Sequence, residues 1–253
     1  MNNIFVIAKN TFKETIRDKI MYGILGFALL FLLSTLFFAS ISLGEDIKVV
    51  KDLGLAGIYI FSIIIAIFLG SSLIYKEIEK RTLYIMLSKP VSTIQFITGK
   101  YLGLLLSLLL NLGLMSIIYL AVVYFEKGGF DYLALWAILL NFFELSIFIS
   151  LAILFSTLTT PLASTIYSII VLYIGHSLSL VKKAAEKSPE ILRWVADGVY
   201  YLFPNLEKFN VRNFIVYNIS PTSAQIIYPV LYSLLMTGIL LWLANLLLKK
   251  RDL

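Results

Sequence analysis

The sequence predicts an all-α integral membrane protein in which one amphipathic interfacial helix precedes six transmembrane helices. The chain has 253 residues, of which 60% are hydrophobic, and its mean hydropathy is +0.92. Only 14% of the residues are charged, against about 25% in ordinary soluble domains. Uncharged runs near the twenty residues needed to cross a bilayer as a helix alternate with short charged segments. We therefore treat residues 1–253 as a single transmembrane domain.

Composition also excludes several classes of function. The net charge of +6 is carried by basic residues that cluster beside apolar runs, a pattern typical of membrane orientation rather than nucleic-acid binding. The chain has no cysteine and one histidine, so we expect neither a disulfide nor a metal site. It contains no phosphate-binding loop and no hydrolase motif. We therefore expect no enzyme activity, no cofactor and no nucleic-acid partner.

Residues 1–20 predict an amphipathic helix in the cytoplasmic membrane interface. Apolar side chains recur at helical spacing on one face, at Ile4, Ile7, Ala8, Phe12, Ile16 and Ile20. Basic side chains recur every fourth residue on another face, at Lys9, Lys13 and Arg17. A disordered basic tail is the alternative, and the periodicity favours the helix.

The six predicted spans cover residues 21–43, 53–75, 98–125, 132–158, 162–181 and 224–248. Residues 44–52 carry a net acidic charge and are expected to form an outer loop. Residues 182–223 are the longest polar region, and five spans from an inside start place them outside. The basic residues Lys249, Lys250 and Arg251 then anchor an inside end. The prediction is a protein of the cell (inner) membrane with both termini in the cytoplasm.

A charged segment, residues 76–97, joins the second and third spans and is the one around which the chain is organised. Its excess of basic residues places it in the cytoplasm. Pro90 ends a helix, and Ser92 with Gln95 forms a capping box that begins the next. Between them lies a short apolar helix, Thr82 to Leu87. Such a helix rests either on lipid headgroups or on a cytoplasmic partner.

Glu144 is the one clearly intramembrane acid in the predicted spans. A charge at that depth costs at least ~2.5 kcal/mol on insertion scales, so the side chain should face protein or a watery cavity, or be protonated. Two interpretations stay open: Glu144 lines a transport pathway, or it makes an interhelical hydrogen bond. His176 lies near the outer end of the fifth span, and we expect an interfacial histidine there rather than a ligand.

Small and polar residues on the second and third spans allow close helix contact. They are Gly54, Gly57, Gly70, Ser71, Ser72, Ser107, Asn111, Gly113 and Ser116. The contact they permit lies either within one chain or between two chains.

Four short motifs resemble a known family. They are Glu77-x-Glu79-x-Arg81-Thr82-Leu83, Leu87-Ser88-Lys89-Pro90-Val91-Ser92, Gln95-Phe96-x-x-Gly99-Lys100-Tyr101 and Pro204-Asn205-Leu206-x-x-Phe209-Asn210. They resemble permease subunits of the ABC-2 (exporter) type, especially the multicopper-enzyme maturation branch. That branch includes the permease of the nitrous-oxide reductase copper-site maturation system.

The resemblance implies the ABC-2 permease fold and a homodimer driven by two copies of a separate cytoplasmic ABC ATPase, which binds the ATP and magnesium. It also implies that residues 76–97 hold the coupling helix. The residues expected at the ATPase contact are Glu77, Lys80, Arg81, Thr82, Leu83, Met86, Leu87 and Pro90. Among them, Leu83, Met86 and Leu87 would be buried by docking.

Two rival functions stay open at this stage. A secondary transporter would normally show repeated halves and several midplane ionisable groups, and here Glu144 stands alone. An ABC-type mechanotransmitter would use the same coupling segment to act on an extracytoplasmic partner at residues 182–223, without a continuous pore. The sequence does not identify a substrate.

Overall fold

The computed structural model describes residues 3–41, 44–79, 91–127, 129–186 and 189–250. These residues form α-helices joined by short connections, and they contain no strand. The helices are α1 Asn3–Ile16, α2 Lys19–Ser40, α3 Asp46–Glu79, α4 Thr93–Lys127, α5 Ala134–Leu158, α6 Pro161–Ala185, α7 Glu190–Leu202, α8 Arg212–Val216 and α9 Ser223–Lys250, with a 3₁₀ turn at Glu207–Phe209.

Six of the described helices are long and apolar enough to cross a membrane, and together they establish the fold class. They are α2, α3, α4, α5, α6 and α9. Each consists mainly of Leu, Ile, Phe, Val and Ala, and the charges lie toward the helix ends except for Glu144 in the middle of α5. The predicted class, an all-α membrane protein with six transmembrane helices, is confirmed.

Helix α5 lies at the centre of the bundle and packs against α3, α4, α6 and α9. Its side chains are buried on several faces, as expected for a helix that is apolar all round; Leu140, Leu145, Phe148 and Ile149 are fully covered. Hydroxyl groups bind it to its neighbours, because Ser146 Oγ lies 2.7 Å from Tyr101 Oη and 3.0 Å from Thr237 Oγ1. This central position places the polar residues of α5 inside protein rather than in lipid.

Helix α1 packs along α4, and two glycines make the close approach possible. A side-chain carbon on Gly99 would lie 2.7 Å from Ile7, and one on Gly103 would lie 2.5 Å from the Ala8 carbonyl oxygen. The buried face of α1 includes Ile7 and Ala8, and Phe5 remains exposed. The N-terminal helix is therefore amphipathic, and its buried face contacts the chain itself.

Helix α3 begins earlier than the predicted second span. It starts at Asp46, so most of the expected outer loop, residues 44–52, is helical. The charges of that stretch are accommodated because Lys51 is buried against Asp131 and Asp46 lies in the first turn, where the helix dipole favours an acid. The predicted outer loop, residues 182–223, also contains two short helices, α7 and α8.

Candidate functional site

A cavity of about 220 Å³ lies among α3, α5, α6 and the stretch between the 3₁₀ turn and α8. Its wall is largely apolar, with a few polar side chains that converge on one side. The lining residues are Leu55, Ile58, Tyr59, Ala137, Ile138, Asn141, Glu144, His176, Phe209, Asn210, Val211 and Arg212. An apolar cavity with a few convergent polar groups is the usual form of a small-molecule site.

Glu144, on the central helix α5, is the most deeply buried acid of this cavity. Its side chain is 3% exposed. Its Oε1 accepts a hydrogen bond from the Tyr59 hydroxyl at 2.9 Å and lies 3.0 Å from His176 Nε2. The Tyr59 hydroxyl is also hydrogen-bonded to His176 Nε2. Glu144 thus makes interhelical hydrogen bonds and also lines a cavity, and a role in a transport pathway stays a prediction.

His176 lines the cavity, and its expected place near the membrane interface stays a prediction. Its side chain is 26% exposed, and its Nδ1 lies 3.4 Å from Glu207 Oε2. The neighbouring Gly175 explains how Glu207 comes so close. A side-chain carbon there would lie 2.5 Å from Leu206, and the Gly175 carbonyl accepts a hydrogen bond from the Leu206 amide at 3.2 Å.

The motif Pro204-Asn205-Leu206 therefore has a structural role at this site. Leu206 is fully buried against the side-chain-free face of Gly175, and the Asn205 amide donates to the Tyr232 hydroxyl at 2.9 Å. These contacts fold the segment that follows α7 back onto α6 and α9. Glu207 is consequently held beside His176.

The rim of the cavity carries an ion pair between Arg212 and Asp52. The Arg212 Nε lies 3.0 Å from Asp52 Oδ1, and both side chains are partly exposed. The cavity wall also contains a polar atom that has no hydrogen-bond partner among the described residues, the amide oxygen of Asn141. Asn141 is 7% exposed.

The donor set does not fit a metal ion. Within the described ranges, no group of three or more His, Cys, Asp or Glu residues is arranged to hold one. The polar lining comprises one carboxylate acceptor, one guanidinium donor and hydroxyl, amide and imidazole groups that both donate and accept. Within this set, the Glu144 carboxylate suits a ligand that donates hydrogen bonds.

A second polar cluster lies nearby, around a buried ion pair of Lys51 on α3 with Asp131 just before α5. The Lys51 Nζ is 3.0 Å from Asp131 Oδ2, with the two side chains 8% and 4% exposed. Lys51 also donates to Asn218 Oδ1 at 2.7 Å, and the Tyr119 hydroxyl donates to Asp131 Oδ2 at 3.3 Å. Asn218 has φ 56°, a left-handed conformation that asparagine tolerates better than most residues.

A third ion pair lies at the base of the predicted coupling segment. Lys100 on α4 is 4% exposed and contacts Glu77 Oε1 near the end of α3 at 2.7 Å. Glu14 on α1 lies 3.8 Å from the same Lys100 Nζ. The Ser92–Gln95 capping box is confirmed, since the Gln95 amide donates to Ser92 Oγ at 3.3 Å and the Ser92 amide to Gln95 Oε1 at 3.1 Å.

The sequence-predicted site residues fall in two places that the structure keeps apart. Glu144 lines the cavity, and Glu77 binds Lys100 at the base of the coupling segment. The other residues predicted to contact an ATPase lie outside the described residues: Lys80, Arg81, Thr82, Leu83, Met86, Leu87 and Pro90. Sequence reasoning missed Tyr59, Asn141, Glu207 and Arg212 as neighbours of Glu144.

Comparison with known proteins gives one family. The family model described as "ABC-2 family transporter protein" matches residues 5–253, almost the whole chain. No curated protein matches the sequence.

Proposed function

The chain belongs to the ABC-2 family of transporter proteins, and from this premise we propose that a separate cytoplasmic ABC ATPase drives it through residues 76–97. A multi-pass membrane subunit of an ABC transporter is what the family and the six long helices establish. ATP and magnesium would be bound by the partner ATPase, and this chain would supply the membrane pathway.

The observation that carries this proposal is the length of the two helices that flank the coupling segment. Helices α3 and α4 have 34 and 35 residues, or about 51 Å and 53 Å at 1.5 Å per residue. The hydrocarbon core of a bilayer is about 30 Å thick. Both helices are therefore long enough to project beyond the membrane and to present the segment between them to a cytoplasmic partner.

The Lys100 ion pair supports a transmitting role for this hairpin. Lys100 is buried and contacts Glu77, and Glu14 of α1 lies close by. Removing one partner of a buried ion pair commonly costs about 3–5 kcal/mol, so this contact holds the bases of α3 and α4 together. A push on the coupling segment would then move α1, α3 and α4 as one body.

The remaining parts of the proposal concern assembly and placement. Two-fold dimers are the commonest homo-oligomers among soluble proteins, and the resemblance to ABC-2 permeases supports a dimer of this chain with two ATPase copies. The basic residues near both termini support a cytoplasmic location for both ends and insertion in the cell (inner) membrane. The motifs shared with maturation permeases support membership of that branch.

The outer helix α7 favours mechanotransmission as a second candidate function. Several of its large apolar side chains are exposed, namely Ile191, Leu192, Trp194, Val195, Tyr201 and Leu202. Such a face either lies on the outer lipid interface or contacts an extracytoplasmic partner. In the second arrangement, the ATPase would act on the outer partner through the same coupling hairpin.

The substitution Leu83→Asp tests the ATPase contact. A carboxylate placed in the proposed dock would be left unpaired on binding, and loss of one central interface side chain commonly costs about 1–2 kcal/mol or more. We expect the variant to insert normally but to lose its ATPase on co-purification, together with coupled ATP hydrolysis.

Ile94→Asp is the matched control for this variant. Ile94 is also an apolar residue of the segment 76–97, but it is not among the residues expected at the ATPase contact; it is exposed in the first turn of α4, where the helix dipole tolerates an acid. We expect this control to retain the ATPase. An inserted Leu83→Asp protein that co-purifies its ATPase with full coupled activity would contradict the proposed contact.

A further inference from the structure

We propose that the cavity beside Glu144 binds a small organic cation, with an ammonium head and a short apolar body. As a statement about the transported substrate, the proposal rests on the transport function proposed above. As a statement about binding, it concerns the cavity alone and can be measured without the ATPase. The proposal about binding and the proposal about transport can therefore fail separately.

Charge is the first reason for a cation. Glu144 and Glu207 both contact His176, and one imidazole neutralises at most one of two carboxylates. The nearby Arg212 is already paired with Asp52. The polar side of the cavity therefore carries excess negative charge when Glu144 is ionised, and burial makes that state costly, so that the carboxyl otherwise binds a proton. A cationic ligand removes that cost.

Unused hydrogen-bond acceptors are the second reason. The Asn141 Oδ1 has no donor among the described residues, although Asn141 is 93% buried. The hydrogen bonds to Glu144 from described residues involve Oε1, which leaves Oε2 available. Asn141 and Glu144 are three residues apart on α5 and share one helix face. An ammonium group can donate to Glu144 Oε2, whereas the Asn141 Oδ1 is almost completely covered and would accept from the ligand only after a change of side-chain rotamer.

The apolar wall and the volume define the rest of the ligand. Leu55, Ile58, Ala137, Ile138 and Val211 line the cavity opposite the polar groups, so a fully hydrated inorganic ion would lose water there without compensation. The cavity of about 220 Å³ is smaller than the 300–1,000 Å³ typical of drug sites. Both facts favour a short aliphatic amine over a metal ion or a large drug.

Protection of a single introduced cysteine tests the proposal, because the chain has no native cysteine. Asn210 lines the cavity and is exposed, so Asn210→Cys should react with iodoacetamide in the purified full-length protein. Ethylamine, butylamine and hexylamine serve as cationic probes, and ethanol, butanol and hexanol serve as neutral controls of matched length. Ser220→Cys is the control site, since Ser220 lines the second cavity, near Lys51 and Asp131.

We expect at least one of the amines to slow labelling of Asn210→Cys and the matched alcohol to have no such effect. Labelling of Ser220→Cys should not change with either. Adding Glu144→Gln should raise the half-protecting amine concentration at least about tenfold, as expected for loss of a charge-assisted hydrogen bond. Asn141→Leu should raise it less.

Two outcomes would overturn the proposal. The first is equal protection by amines and alcohols, which would show an apolar site without a preference for charge. The second is unchanged amine protection in Glu144→Gln, which would place the amine elsewhere. If amines bind as expected while Leu83→Asp keeps its ATPase, the cation site stands and the proposed coupling contact fails.

Discussion

The two buried carboxylates near α5, Asp131 and Glu144, are alike in burial but differ in their partners. Their side chains are 4% and 3% exposed, and each lies beside a cavity, of about 290 and 220 Å³ respectively. Asp131 is paired with a lysine 3.0 Å away. Glu144 has a tyrosine, a histidine and, beyond the histidine, a second acid.

This difference shows that charge balance, rather than cavity size, separates the two sites. The charges of Lys51 and Asp131 cancel each other, and Asn218 and Tyr119 complete the hydrogen bonding of the pair. Around Glu144 two carboxyl groups share one imidazole, and the Asn141 carbonyl has no donor among the described residues. The first cluster is already satisfied as a structural contact between α3 and the start of α5. The cluster around Glu144 gains a full counter-charge only when a cationic ligand binds.

The largest effect is expected from Lys51→Met, which would leave the Asp131 carboxylate buried without a counter-charge. Breaking a buried pair on one side commonly costs about 3–5 kcal/mol, and the free energy of unfolding in detergent should fall by that order. The double variant Lys51→Met/Asp131→Leu removes both charges and should recover most of the loss.

Lys48→Met is the surface control for this prediction. Lys48 pairs with Glu45 at 2.7 Å, with both side chains well exposed, and such pairs are worth about 0–1 kcal/mol. If Lys51→Met is as stable as Lys48→Met, the cluster around Asp131 is not the structural contact described above.

A smaller effect on stability is expected from Glu144→Gln. Glutamine has nearly the same volume and can still accept the hydrogen bond from Tyr59, so the free energy of unfolding should change by less than about 1 kcal/mol. Glu144→Leu should cost about 1–3 kcal/mol, because it leaves the Tyr59 hydroxyl and His176 without their partner. If Glu144→Gln lowers the free energy of unfolding as much as Lys51→Met does, Glu144 is a structural residue and the two sites do not differ in role.

The sequence predicted the features of this molecule that depend on local pattern. Long uncharged runs predict membrane helices whatever they pack against, and the capping box needs residues only three apart. Glu144 was found because an acid within a long apolar run is rare in itself. These features require no knowledge of which helices are neighbours.

The features that sequence reasoning missed depend on contacts between distant segments. Tyr59 reaches Glu144 only because α3 packs on α5, and Glu207 reaches His176 only because Gly175 lets the outer segment approach α6. The sequence also placed Lys51 in an outer loop, because its counter-charge Asp131 lies far along the chain and no nearby residue indicated that Lys51 is buried.

The central claim is that the unbalanced site at Glu144 serves transport and the balanced pair at Asp131 serves structure. The most direct test is amine-stimulated ATP hydrolysis by the permease–ATPase complex in lipid vesicles, measured for the wild type, Glu144→Gln and Lys51→Met/Asp131→Leu. We predict that a short amine raises the rate in the wild type and in the double variant, and that Glu144→Gln loses this stimulation. Equal stimulation of the wild type and Glu144→Gln, or no stimulation of the wild type, would contradict the claim.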